Sequence, residues 1–121
     1  MTTYTKDFDS LIQGPVRTAE VVLTGGVAYH RGDLLVVTEA TNVVVKATSD
    51  TYATARYIMP CDMTATAATA HVASGYQFAV FSDGDFDQSK VLIDGTALTS
   101  AQVLAAKAPL EAKGIQLRVV R

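Results

Sequence analysis

Tryptophan is absent from the 121 residues, and Cys61 is the only cysteine. One thiol cannot form an intrachain disulfide, so the fold must be held by packing or by association. Long apolar runs are missing too, since stretches such as Leu34 to Val37 and Val43 to Val45 end after a few residues. A membrane-spanning helix needs about 20 apolar residues, so a soluble protein with no membrane partner is expected. The opening Met1-Thr2-Thr3-Tyr4-Thr5-Lys6-Asp7 lacks the apolar core of a secretory signal, and no export is expected. Basic runs are also lacking. Arg17, Arg31, Arg56, Arg118 and Arg121 are scattered and the net charge is −2. Nucleic-acid binders usually carry a basic patch, so direct nucleic-acid contact is not expected. No nucleophile elbow, phosphate loop, dinucleotide fingerprint or His-Glu-x-x-His motif occurs, which lowers the case for an enzyme.

What is present suits one domain. Apolar residues make up 49% of the chain, much of it Ala and Val, and a core of this size gains from oligomerisation. Residues 1–18 are mostly polar with isolated apolar residues Tyr4, Phe8, Leu11, Ile12 and Val16, and Gly14-Pro15 disfavours helix. They read as a flexible arm whose apolar residues are available to a partner. Residues 19–121 read as the folded body. Glu20 to Thr24 is a strand candidate broken by Gly25-Gly26. Leu34 to Thr38 and Val43 to Ala47 predict a hairpin of strands covered on both faces. Residues 48–56 read as a loop, and Tyr57-Ile58-Met59 as a strand stopped by Pro60. Asp62 to Gly75 is ambiguous, because Ala favours helix and Thr favours strand. Gln77 to Ser82 predicts a strand ending in a turn at Asp83-Gly84. Thr99 with Gln102 matches a capping box, and Val103, Ala106 and Leu110 share one helical face. Pro109 predicts a kink or two helical pieces near Ala108. Gly114 then ends the helix, and Ile115, Leu117 and Val119 alternate as a final strand.

Several motifs invite chemical readings that simpler ones outweigh. Arg31-Gly32-Asp33 spells an adhesion tripeptide but sits between strand candidates and reads as a turn. Asp83, Asp85, Asp87 and Asp94 partly match a calcium loop. Gln88 replaces the required Gly and Asp94 the bidentate Glu, so a solvated acidic turn is expected. Tyr29-His30-Arg31 reads as partly exposed loop side chains, and Cys61 as a small buried hydrophobe. No metal or cofactor is expected.

Taken in order, several segments resemble the phage head decoration protein family, the type known from phage lambda. The similarity begins at Ala19-Glu20-Val21-Val22-Leu23-Thr24 and continues through Gly26 to Arg31-Gly32-Asp33-Leu34-Leu35. It goes on in Phe81-Ser82-Asp83-Gly84-Asp85-Phe86 and closes in Leu110-Glu111-Ala112-Lys113-Gly114-Ile115-Gln116-Leu117. Pro109 and the Thr/Ala stretch from Thr64 to Ala73 depart from the family pattern. The resemblance implies a mainly β, clip-like (β-clip or β-tulip) fold of short strands and hairpins. A small C-terminal helical element and a final strand would complete it. It further implies a structural virion protein without enzymatic activity. Such proteins form homotrimers that bind the major capsid protein on the outer surface of the expanded head, at local threefold positions. There they brace the shell against packaged DNA, having been made in the host cytoplasm during assembly. The N-terminal arm would order against the shell, with Tyr4, Phe8, Leu11, Ile12, Pro15 and Val16 as its docking residues.

The physical case for such an arm is one of avidity. Ordering a segment costs about 1–2 kcal/mol per residue, so one short arm binds weakly. Three linked arms can gain about 10²–10⁴ in avidity. Two other classes stay open at this point: a β-rich tail or baseplate component, and a small enzyme or ligand-binding barrel in which Cys61, His30 and His71 converge.

Overall fold

A computed structural model of the chain describes residues 11–38 and 40–119. The fold is mainly β, as the sequence predicts. Strand β1 spans Ile12–Val21, β2 Leu34–Thr38, β3 Val43–Lys46 and β4 Tyr57–Ile58. Helix α1 covers Ala65–Ser74 and is followed by β5, Phe78–Asp87. The short strands β6 (Leu92–Ile93) and β7 (Thr96–Ala97), helix α2 (Ser100–Ala112) and strand β8 (Ile115–Arg118) complete the order.

The main sheet runs β1-β5-β4-β2-β3, with β8 added in parallel to the far end of β5. All other ladders in it are antiparallel. Its two ends meet, because Val22, just past β1, bridges Val43 on β3. Val22 donates its N–H to the Asn42 carbonyl at 3.0 Å, and Val44 donates to the Val22 carbonyl at 2.9 Å. The sheet therefore curls towards closure, which covers the upper part of both edges.

Neighbouring residues on its strands enter two different cores, following the period-two alternation of a strand. Leu34, Ile58, Phe81 and Phe86 join Ala106 and Leu110 of α2 with Ile115 and Leu117 of β8. Leu35, Met59, Val80 and Val21 join Tyr29 and Ala68 of α1. β2 is thus apolar on both faces, as expected, whereas β3 exposes Val45.

The ambiguous Thr/Ala stretch is helical. Thr64 caps it by accepting the Ala67 N–H at 3.1 Å, and Gly75 ends it at φ +80°. Good caps and the helix preference of Ala prevail over the strand preference of Thr. Thr69 then fastens α1 to the preceding loop by accepting the Gly26 N–H at 2.8 Å.

In α2 the capping box forms in both directions, and Val103, Ala106 and Leu110 are its buried residues, as the spacing predicts. The expected break at Pro109 does not occur, since one helix runs through it to Ala112. Pro109 lies in the last turn, where the lost hydrogen bond leaves the carbonyl of Ala105, an exposed residue, open to water.

β5 also departs from expectation. It does not turn at Asp83-Gly84 but runs on to Asp87, with Gly84 inside the strand at φ +144°. The glycine serves a close approach rather than a turn, because Pro15 and Val16 cross directly over it.

Candidate docking surface

β1 is the edge of the main sheet, and its outer side carries no strand among the described residues over most of its length. Only its end is covered, where Asn42 donates its side-chain N–H to the Glu20 carbonyl at 2.8 Å. An edge of this kind can template another strand. Pro15 suits it because an edge residue can lack an N–H without breaking a ladder.

Two irregularities shape this edge. Between Ile12↔Phe86 and Val16↔Gly84 the register shifts, so β1 bulges at Gln13-Gly14-Pro15. Between Arg17↔Asp83 and Thr18↔Phe81 the extra residue is Ser82 on β5. That second bulge presents the Ser82 carbonyl to Arg56, which donates to it at 2.8 Å. Bulges twist an edge and limit indiscriminate pairing.

The expected arm residues divide at this point. Tyr4 and Phe8 lie outside the described residues. Leu11 is only 1% exposed and belongs to the α2-side core, and Ile12 and Val16 pack against that core. Among the described members of this set, Pro15 alone is exposed. The expected boundary at residue 18 therefore needs correction: the folded body already includes Leu11, and residues 12–18 belong to the sheet. The irregular spacing of apolar residues hid this strand, because the bulge at Gly14-Pro15 interrupts its alternation.

The chain joins the body at a defined place. Asp87 donates its N–H to the Leu11 carbonyl at 2.8 Å, and Gln88 donates to the Arg118 carbonyl at 2.9 Å. A surface groove lined by Gln88, Ser100, Val103, Leu104, Lys107 and Val119 opens beside this point. Leu104 is 77% exposed and Val119 62%. Sequence reasoning missed this apolar surface, because Leu104 reads as part of α2 and Val119 as part of the half-buried last strand.

The acidic segment does not curl into an ion-binding loop. Asp83, Asp85 and Asp87 alternate along β5, and each has its own partner. Asp85 pairs with Arg118 at 3.2 Å, and Asp83 lies 3.9 Å from Arg56. Buried Asp87 accepts the Ser89 N–H at 2.9 Å and hydroxyl at 2.8 Å.

The adhesion-tripeptide reading fails on burial, since Asp33 is fully enclosed. A turn is formed there, with the Asp33 N–H donating to the His30 carbonyl at 3.0 Å. Tyr29 is buried rather than partly exposed, and its hydroxyl donates to the Thr24 carbonyl at 3.0 Å. Burial raises the Tyr29 hydroxyl pKa, with the Thr24 contacts opposing the shift.

Cys61 is exposed, against the expectation of a buried residue. Its thiol is pushed up, first by desolvation and then by the Asp62 carboxylate, with Arg31 opposing. That is the wrong direction for a nucleophile. His71 stacks edge-on against Phe78 at 5.3 Å, while His30 faces Asp33. No hydrogen bond or ion pair joins Cys61 to either histidine among the described residues. No family model matches the chain, and no curated protein matches it.

Proposed function

We propose that the protein is a non-enzymatic decoration protein of a phage head. As a homotrimer it would bind the major capsid protein on the outer surface of the expanded shell and brace that surface against internal pressure. The observation that carries this reading is the way the resembling segments assemble. Gly84 of the Gly-acidic-Phe segment faces Ile115 of the closing Leu-x-x-x-Gly-Ile segment, and the Gly84 N–H donates to the Gly114 carbonyl at 3.0 Å. The first of these segments also pairs with the edge strand β1, into which the N-terminal residues lead.

Mechanically, residues 1–10 would serve as the latch. Tyr4 and Phe8 would fill pockets on the shell while backbone bonds extend pairing along the edge of β1. The exposed Leu104 and Val119 add apolar surface beside the same point. A trimer presents this arrangement three times, which offsets the ordering cost of each arm.

The test is the mass in solution, followed by co-sedimentation with purified expanded and unexpanded heads. A trimer that pellets only with expanded heads is the expected result. Binding to tail structures instead would favour a tail or baseplate component.

A further inference from the structure

His30, Asp33 and Asp94 come from two loops that share one buried carboxylate. Asp33 is fully buried, and among the described residues its sole ion-pair partner is the half-exposed His30. Its Oδ1 accepts the Gly95 N–H at 2.8 Å, and its Oδ2 accepts the His30 N–H at 2.8 Å. Oδ2 also lies 3.3 Å from His30 Nδ1. The turn joining β6 and β7 holds Asp94 at φ +49° and Gly95 at φ +80°. Positive φ at both positions is the signature of a tight two-residue hairpin turn. Gly95 presses against the imidazole, for an added Cβ would lie 3.0 Å from Nδ1. The Asp94 carboxylate is thereby delivered to the same place, and the three donor atoms lie within 4.8 Å of one another.

We infer that His30 Nδ1 and the carboxylates of Asp33 and Asp94 form a site for one divalent transition-metal ion of the zinc class. Bonds of about 2.0–2.2 Å require donors roughly 3–3.6 Å apart. His30 and Asp33 already meet that spacing at 3.3 Å, and the exposed Asp94 side chain, within 4.8 Å, would have to rotate towards them on binding. One imidazole and two carboxylates suit zinc, cobalt or nickel, with water as the fourth ligand. Calcium and magnesium demand more oxygen ligands than the site offers.

The ion takes the position between Nδ1 and Oδ2, so a proton held there leaves on binding. Lys46 Nζ now pairs with Asp94 Oδ1. Its ammonium competes with the metal for that carboxylate. A bound ion would pin the turn before β2 to the β6–β7 hairpin. This inference is independent of the capsid reading.

The test uses the full chain carrying Cys61→Ser, which removes an exposed thiol with its own affinity for zinc. Zinc chloride is titrated by calorimetry and by thermal melting, with calcium and magnesium chloride in parallel. One zinc per chain is expected, with the melting temperature raised by about 5 °C at saturation. His30→Ala and Asp94→Asn alter exposed side chains, and each should weaken binding at least about tenfold. Lys46→Met should tighten it. The inference is overturned if zinc at about millimolar concentration gives no saturable binding. A response unchanged in both site variants, or matched by calcium, overturns it equally.

Discussion

Gly84 holds φ +144° between two neighbours, Val16 on β1 and Ile115 on β8. A Cβ there would lie 2.7 Å from Val16 Cγ1 and 3.1 Å from the Pro15 carbonyl oxygen. Gly84→Ala should therefore destabilise by about 1–3 kcal/mol, through backbone strain and displacement of the edge strand. Urea unfolding should show a lower midpoint, and amide exchange should quicken along β1. Asp94 offers a test of opposite character. The hydrogen bond from Lys46 holds its carboxyl below the ordinary value, with desolvation opposing it. A lowered folded pKa contributes stability that is full above the ordinary carboxylate range and is lost as pH falls through the lowered value. The side chain is 62% exposed, so solvent screening keeps that contribution small. An NMR titration should find the Asp94 midpoint depressed, and Lys46→Met should return it towards the ordinary carboxylate value.

At the scale of elements, α2 shows what local sequence can dictate. Its cap, its buried face and its glycine stop are all settled by residues within a few positions of one another. Pro109 is the exception, and Pro109→Ala should stabilise the protein by about 1–3 kcal/mol by restoring a helical hydrogen bond. An increased urea midpoint at constant slope would show it. Features set by distant contacts were not legible. Gly84 looks like a turn residue until Pro15 and Val16 are seen to cross it. β1 looks like an arm because its bulge hides the alternation that β5 imposes. The His30–Asp33–Asp94 group was invisible for the same reason, since only the β6–β7 hairpin brings Asp94 to the turn before β2. Cys61 illustrates the remaining limit: residue type suggests burial, but its place just after Pro60 leaves it exposed.

For the whole molecule, the boundary at Leu11 decides how the proposed latch can be tested. Removing residues 1–15 would delete the buried Leu11 side chain, worth about 2–3 kcal/mol of burial. It would also take away the carbonyl that accepts the Asp87 N–H and strip the bulged start of β1 from β5. Such a protein would melt early, and its loss of shell binding would report damage to the body as much as loss of the arm. Removing residues 1–10 leaves Leu11 and the whole β1–β5 ladder in place. The shorter deletion should keep its unfolding free energy within about 1 kcal/mol of the full chain. On the decoration reading proposed above, it should also sediment as a trimer and fail to pellet with expanded heads. If it pellets as the full chain does, recognition belongs to the edge of β1 itself and to the exposed Leu104 and Val119 beside it. Leu104→Glu, on the outer face of α2, would then be the change expected to release the shell while leaving the core that contains Leu110 intact.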